Sequence, residues 1–288
     1  MSSPLSPELL VAPSKAELPS VLCDAIVTRA SAAIKERNSF TIALSGGSLP
    51  KFLAQLPDVF KERNIDPKWD SWHVLLADER CVPITDDDSN MKSIRANFLG
   101  HSEVKIPEDQ IYGIDEELVD QLLKEQKHQD TTSADATTDA IAVRYEETIR
   151  KILPSSNSLD LAVLGFGPDG HTCSLFPGHS LLKLESGKWV ASIVDSPKPP
   201  PRRITLTLAF LNENTRHVIV CGAGASKQPI IEKVFVMDND DDWKKEETTC
   251  QTLLPKLASP PPYPCGMITP KESLLWVVDA DAMIGDKK

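Results

Sequence analysis

The sequence predicts a layered α/β fold with a mainly parallel sheet. Short apolar runs of strand length recur along the chain, and helical patterns of apolar residues separate them. Several of these runs end in glycine-containing turns that carry polar or charged residues. In a parallel sheet the carboxyl ends of the strands share one edge, which is where open α/β folds bind their ligands. We therefore expect the chemistry of this protein at that edge.

The first segments are an extended arm over residues 1–15, an amphipathic helix over 17–37 and a strand over 40–44. The strand runs directly into Ser45-Gly46-Gly47-Ser48, after which a helical pattern begins. Free backbone N–H groups and the positive end of a helix dipole meet at such a turn, so it predicts a phosphate or carboxylate site. The alternative is an ordinary turn in which Ser48 caps the helix.

The next strand, over residues 72–77, ends at Asp78, Glu79 and Arg80. Charges at the carboxyl end of a parallel strand face the ligand side of the sheet. The alternative is that the two acids pair with Arg80 and only fix the loop. Residues 124–139 are polar, and we interpret them as a mobile surface insertion before a helix over 140–153.

The central stretch consists of a buried strand over residues 159–164 and a glycine-rich turn. The turn carries Asp169 and His171, an acid and an imidazole two residues apart, which favours acid–base chemistry. The alternative is a tight turn with a solvated Asp and a hydrogen-bonded His. Cys173 is a candidate nucleophile, but no separate activating base is implied for it, so we interpret it as a small buried residue.

The last third predicts strands over residues 189–194, 204–208, 217–221 and 274–278. A proline-fixed loop over residues 196–203 delivers Arg203 to the second of these strands. The turn at 222–227 places Lys227 at the start of a helix, where the dipole disfavours a cation unless an anion lies in front of it. Residues 237–247 are acidic and predict a solvated loop. No strong domain boundary follows the arm, so we expect a single domain over 16–288.

Composition excludes several function classes. The 42 acidic and 31 basic residues give a net charge of −11, which argues against nucleic acid or an anionic membrane as the main partner. No apolar run reaches the ~18 residues of a membrane span, and the first residues lack the pattern of a secretory signal. The six cysteines are scattered without a CxxC pair, as in a protein with reduced thiols, so we expect a cytoplasmic location.

Five blocks together resemble the 6-phosphogluconolactonases. They are SGGSLP (45–50), DERCVP (78–83), GFGPDGHTCSLFPG (165–178), PKPPPRRITLTL (197–208) and GAGASK (222–227). The resemblance implies a three-layer α/β/α fold with a Rossmann-like sheet, similar to the sugar-phosphate isomerases and deaminases. It implies hydrolysis of 6-phospho-D-glucono-1,5-lactone to 6-phospho-D-gluconate in the oxidative pentose phosphate pathway, without metal or cofactor. We expect a monomer whose partner is this sugar-phosphate lactone.

The resemblance also assigns roles. His171 matches the histidine that acts as general base on water, and Asp78 matches a position that lines the pocket. From the chemistry alone, we expect Asp169 or Asp78 to orient the imidazole or stabilise its charged form. The residues implied around the phosphate are Gly46, Gly47, Ser48, Arg203 and Lys227, with Arg80 lining the pocket.

Two rival functions use the same blocks. In a sugar-phosphate isomerase or deaminase, the resemblance implies a Glu five residues after the loop histidine, where this chain has Phe176. A non-catalytic sugar-phosphate-binding module would keep Arg203 and Lys227 but lose the base, whereas His171 is present. A dinucleotide enzyme is disfavoured, because no glycine turn reads as GxGxxG followed by an acidic ribose ligand.

Overall fold

A seven-stranded sheet forms the centre of the computed structural model, which describes residues 6–153, 158–183, 186–236 and 249–285. The strands are β1 (Glu8–Ala12), β2 (Phe40–Leu44), β3 (Trp72–Leu76), β4 (Asp78–Arg80), β5 (Leu159–Gly165), β6 (Val190–Ile193), β7 (Arg203–Leu206), β8 (Thr215–Gly222), β9 (Phe235–Val236), β10 (Gln251–Leu253), β11 (Lys256–Leu257) and β12 (Ser273–Asp279). The helices are α1 (Leu18–Arg37), α2 (Leu49–Phe52), α3 (Leu56–Glu62), α4 (Asn90–Ile94), α5 (Glu116–Lys127), α6 (Thr131–Ile152), α7 (Leu208–Glu213), α8 (Gln228–Val234) and α9 (Ala280–Ile284). The acidic tract predicted as a loop at 237–247 lies outside the described residues.

The strand order of the main sheet is β10-β1-β12-β8-β5-β2-β3, and every neighbouring pair except β1 with β10 is parallel. The predicted α/β fold with a mainly parallel sheet is confirmed, with helices on both sides. The central strands are continuous apolar runs because both of their faces are buried, as along β5. After β2 the chain moves outward to β3, and it then returns to β5 on the other side of β2. A crevice opens where the strand order reverses in this way, so a ligand site is expected at the carboxyl ends of β2 and β5.

A second, antiparallel sheet in the order β4-β7-β6 lies beside this crevice. The sequence predicted a loop at 78–83, but Asp78–Arg80 form β4 and pair with β7. The carboxylate of Glu146 on α6 accepts hydrogen bonds from the N–H groups of Trp189 and Val190, which ties α6 to the start of β6. The small sheet is therefore held at a fixed place above the edge of the main one.

Two predicted segments differ in the structure. The extended segment expected at residues 1–15 contains β1, which lies inside the main sheet between β12 and β10. Most of residues 124–139, interpreted as a mobile surface insertion, is helical instead: 124–127 end α5 and 131–139 begin α6. Within this polar stretch Asp130 caps α6 by accepting a hydrogen bond from the N–H of Ser133.

None of the helices in the described ranges combines the length and the apolar character that crossing a membrane would require.

Candidate active site

A cleft of about 280 Å³ opens at the carboxyl ends of β2, β5 and β8. Its lining consists of residues 45–49, Asp78, Arg80, Asn90, residues 165–168, His171, Cys173, Arg203, Cys221, Gly222 and Lys227. The structure thus brings every candidate site residue predicted from the sequence to this cleft except Asp169. That residue stands behind His171 and contacts its ring.

The turn after β5 holds the imidazole in place. It closes through hydrogen bonds from the N–H of Gly167 to the carbonyl of His171 at 2.9 Å and from the N–H of Gly170 to the carbonyl of Gly167 at 3.0 Å. A Cβ atom at position 167 would lie 2.1 Å from Nδ1 of His171 and 2.3 Å from Oδ1 of Asp169. Glycine is required there because the acid and the imidazole both pack against its backbone.

His171 and Asp169 form a hydrogen-bonded pair, with Nδ1 and Oδ1 2.5 Å apart. An ionised carboxylate can only accept, so the proton of the neutral imidazole sits on Nδ1 and Nε2 keeps its lone pair. The ring of Phe176 stacks on the imidazole with 4.9 Å between the ring centres and fixes its plane. Of the two aspartates that could orient His171, Asp169 is the one bonded to it.

The electrostatics of this pair suit a base. Burial lowers the pKa of His171 below its ordinary value, and the hydrogen bond to Asp169 opposes this shift without reversing it. Partial burial acts to raise the pKa of Asp169, but hydrogen bonds from His171 and Lys198 outweigh it and hold that pKa well below its usual range. At neutral pH the site therefore contains a carboxylate and an uncharged imidazole.

Lys198 is a site residue that sequence reasoning missed. Its Nζ lies 2.9 Å from Oδ2 of Asp169 and 3.1 Å from Nδ1 of His171. The only signal was a lysine within the proline-fixed loop before β7, and nothing in its spacing indicated where the loop would place it. Arg202 of the same loop is directed elsewhere and pairs with Asp135 on α6.

Arg203 is 3% exposed and divides its donors between the cleft and the proline loop. NH2 donates to the carbonyls of Lys198 and Pro199 at 2.9 Å each, and Nε donates to the carbonyl of Pro200 at 3.0 Å. Burial, and next to it the positive charge of Arg80, lowers the pKa of Arg203. Arg203 therefore fixes the loop and adds positive charge to the cleft.

Lys227 precedes α8, as predicted, and donates from Nζ to the carbonyl of Phe166 at 2.5 Å. Burial lowers its pKa, and the nearby ammonium of Lys198 lowers it further. Two ammonium groups close enough to repel each other mark a place where an anion would be stabilised.

The glycine turn after β2 offers further donors. Within the described residues, the N–H groups of Gly46 and Gly47 donate no hydrogen bond to the protein, and the side chain of Ser48 does not cap α2. The Nε of Arg80 is buried and likewise has no partner in the part of the chain that the structure describes. Backbone N–H groups of a glycine turn beside an arginine whose Nε is buried without a partner among the described residues suit an anionic ligand.

The acidic side of the cleft is built on β4. Asp78 accepts hydrogen bonds from the hydroxyl of Ser174 at 2.8 Å and, at 3.4 Å, from the amide of Asn90. Glu79 accepts from the N–H groups of Asn90 and Met91, and burial raises its pKa to about 7. The two acids do not form ion pairs with Arg80 in the described structure; they fix the start of α4 and the neighbouring wall.

Cys173 lines the cleft but is buried, and its burial raises the pKa of the thiol well above the ordinary value. An uncharged thiol is a poor nucleophile, which supports its interpretation as a small buried residue.

Comparisons with known proteins agree with this geometry. A family model described as glucosamine-6-phosphate isomerases/6-phosphogluconolactonase matches residues 13–276. The Arabidopsis thaliana protein named 6-phosphogluconolactonase 3, chloroplastic, is 37% identical over 261 residues, which cover 86% of this chain and 66% of the relative. The Saccharomyces cerevisiae protein named 6-phosphogluconolactonase 3 is 35% identical over 232 residues, which cover 78% of this chain and 84% of the relative. The chain thus spans just under two thirds of the length of the plant relative.

Solved structures show the same fold. The 6-phosphogluconolactonase from Trypanosoma cruzi superposes with a TM-score of 0.72 at 26% identity, covering 97% of each chain. A monomeric glucosamine-6-phosphate deaminase superposes with a TM-score of 0.57 at 15% identity, covering 93% of this chain and 96% of that one. The deaminase likeness concerns the fold alone.

Proposed function

Because the chain belongs to the family of glucosamine-6-phosphate isomerases and 6-phosphogluconolactonases, we propose that it hydrolyses 6-phospho-D-glucono-1,5-lactone to 6-phospho-D-gluconate. One observation carries the proposal: the imidazole of His171, bonded through Nδ1 to Asp169, shares a single cleft with the cations Arg203 and Lys227, and none of the described residues hydrogen-bonds to its Nε2. The names of the plant and yeast relatives support the same reaction.

The proposed chemistry needs only a base and a positive environment. A δ-lactone is an activated ester, so its opening requires a water made nucleophilic and stabilisation of the charge that develops on oxygen. Nε2 of His171 takes a proton from water as its oxygen bonds to C1, and Asp169 stabilises the imidazolium. When the bond between C1 and the ring oxygen breaks, His171 returns the proton to that oxygen.

In this mechanism the cations of the cleft are assigned to the phosphate and not to the lactone oxygen. The N–H groups of Gly167, Gly170 and Thr172 already donate inside the turn, so they are not free to form an oxyanion site. The 6-phosphate is assigned to the N–H groups of Gly46, Gly47 and Ser48, with Arg80, Arg203 and Lys227 around it. Its binding energy holds the lactone in the geometry for attack, although the phosphate is remote from the reacting bond.

The rival isomerase or deaminase activity is not favoured. Where the resemblance implies a Glu in those enzymes, this chain has Phe176, whose ring packs against His171 and cannot move a proton. Release of ammonia from glucosamine 6-phosphate by the purified protein would support the rival. Binding of 6-phosphogluconate without any acceleration of lactone opening would support a non-catalytic module.

We further propose that the protein acts as a single-domain monomer in the cytoplasm. The six free cysteines fit a reducing compartment such as the cytoplasm, whereas several relatives are named as chloroplastic. Sedimentation of the purified protein and fractionation of cells that produce it test these two statements separately.

The decisive experiment follows proton release during lactone opening, with the spontaneous rate subtracted. We expect acceleration for the 6-phosphorylated lactone and far less for the same lactone without phosphate, because the unphosphorylated sugar has nothing for the cations to bind. Equal rates with and without the protein would overturn the proposal.

A further inference from the structure

The side chains of Lys198, Asp169 and His171 form a closed triangle at the back of the cleft. Oδ1 of Asp169 is 2.5 Å from Nδ1 of His171, and Oδ2 of the same carboxylate is 2.9 Å from Nζ of Lys198. The third side, from Nζ to Nδ1, measures 3.1 Å. The lysine and the imidazole therefore share one carboxylate, and a positive charge lies beside the ring nitrogen that carries the proton.

Side-chain hydrogen bonds hold the backbone of the loop that carries Lys198. Arg203 on β7 donates to the carbonyls of Lys198, Pro199 and Pro200, which are three successive residues of the loop. The hydroxyl of Ser196 also donates to the carbonyl of Lys198, at 2.8 Å. A lysine on a flexible loop would contact the carboxylate of Asp169 only part of the time. These hydrogen bonds hold the backbone at a position from which the side chain of Lys198 reaches that carboxylate.

A carboxylate beside a histidine has two effects that conflict in a resting base. It fixes the tautomer, which helps, and it stabilises the charged imidazolium, which removes the base at neutral pH. A cation on the second carboxylate oxygen weakens the stabilisation of the imidazolium. It leaves in place the hydrogen bond that fixes the tautomer. Here the cation is Lys198.

We propose that Lys198 is a positioning residue: by occupying the second oxygen of Asp169, it adds to the effect of burial in keeping the imidazole of His171 uncharged and available as a base. The role rests on the proposed lactone hydrolysis for its kinetic consequence, but the pairing itself concerns His171 alone. Lys198 touches no reacting atom in this scheme and acts through Asp169.

The other charged groups around the ring do not replace it. The charged side chains of the cleft and of the turn behind it are Asp169, Lys198, Asp78, Arg80, Arg203 and Lys227. Among the described residues, Lys198 is the one cation with an atom within 4.0 Å of both Asp169 and His171. Replacing it therefore changes the local charge at the pair without altering the other walls of the cleft.

The test is an NMR titration of His171 in the full-length protein labelled with nitrogen-15, with its signal assigned by a His171→Gln variant. We expect Lys198→Met to raise the titration midpoint of His171 by about one pH unit, since the removed cation opposed protonation. Lys198→Arg should restore a midpoint close to that of the unmodified protein. Asp169→Asn should move the midpoint in the opposite direction.

Lys35→Met is the matched control, because it removes the same charge from an exposed site on α1. It should leave both the midpoint and the rate unchanged. If the proposed function holds, the acid limb of kcat/KM for the lactone should move upward in Lys198→Met by the same amount as the NMR midpoint.

An unchanged His171 midpoint in Lys198→Met would overturn the inference, whatever the activity. A shifted midpoint in a protein that never accelerates lactone opening would support the pairing and overturn the proposed function instead. Since the side chain of Lys198 is 40% exposed, neither substitution at this position is expected to unfold the protein.

Discussion

The two ends of the central strands carry similar side chains and use them differently. At the amino ends, Asp160 accepts the N–H and the hydroxyl of Thr41 at 2.8 and 3.0 Å and the guanidinium of Arg37 at 2.8 Å. Beside this group, Arg216 pairs with Glu272. At the carboxyl ends, none of Arg80, Arg203 and Lys227 forms an ion pair within the described ranges.

The difference shows what distinguishes a site from a structural network in this fold. Both edges contain arginine, but at the amino ends Arg37 and Arg216 each meet a carboxylate of the same chain. At the carboxyl ends the cations surround an open cleft, and within the described part of the chain the N–H groups of Gly46 and Gly47 beside it donate no hydrogen bond. A chain with a net charge of −11 can still bind an anion there, because its acids lie elsewhere or, like Asp169, are already occupied.

The largest expected effect at the carboxyl edge comes from His171→Ala. Loss of a positioned base should lower kcat for the lactone about 10²–10⁴-fold. Affinity for 6-phosphogluconate should change little, because the phosphate site is intact. His217→Ala is the control from the amino edge, where the imidazole meets Ser273 at 2.8 Å, and it should keep full activity. If kcat of His171→Ala equalled that of the unmodified protein after correction for spontaneous hydrolysis, the mechanism would be wrong.

At the amino edge the corresponding loss is one of stability. Asp160→Ala removes the acceptor shared by Thr41 and Arg37: the N–H and hydroxyl of Thr41 and NH2 of Arg37 lose their partner, while NH1 of Arg37 keeps its pairing with Glu36. We expect the free energy of unfolding to fall by about 2–3 kcal/mol, with kcat unchanged at a temperature where the variant is folded. Denaturant unfolding measures this, and Glu272→Ala, at a more exposed ion pair, should cost less than about 1 kcal/mol. If Asp160→Ala lowered kcat and left the stability unchanged, the division into a structural amino edge and a functional carboxyl edge would be wrong.

The features that could be predicted from the sequence are those that a short segment of the chain determines by itself. The strands could be predicted because they are continuous apolar runs, and β2, β5 and β8 lie within one or two residues of the expected bounds. The pair of Asp169 and His171 could be predicted because both residues belong to one short turn. Their signals require no knowledge of distant parts of the chain.

The parts that could not be predicted depend on contacts between distant segments. Lys198 meets Asp169 across 29 positions of sequence, through a loop without periodicity that Arg203 holds in place. The pairing of β4 with β7 likewise joins a charged tripeptide to a strand more than a hundred residues away. The helices at 124–139 were missed because their buried face is small and partly made of threonine.

Lys227→Met should reduce binding more than turnover. The ammonium is a donor for the anion, and charge-assisted hydrogen bonds of this kind contribute about 1.5–3 kcal/mol. We therefore expect KM for the lactone to rise about 10–100-fold, with kcat within a few-fold of its original value. Lys233→Met, on the exposed side of α8, removes the same charge and should leave KM unchanged. A large fall in kcat at constant KM would place Lys227 in the chemical step instead.

The smallest expected effect is a displacement of the pH profile, and it compares the histidines of the two edges. Burial disfavours the imidazolium form of His171, so its pKa is lowered and the neutral base persists to lower pH than in a solvated histidine. The acid limb of kcat/KM should therefore have its midpoint below the ordinary value of about 6.5. His217 at the amino edge also has its pKa lowered by burial, but its titration should leave the rate unaffected. The pH profile of His217→Ala should consequently overlay that of the unmodified protein. If the midpoint of the acid limb moved in this variant, the limb could not be attributed to His171.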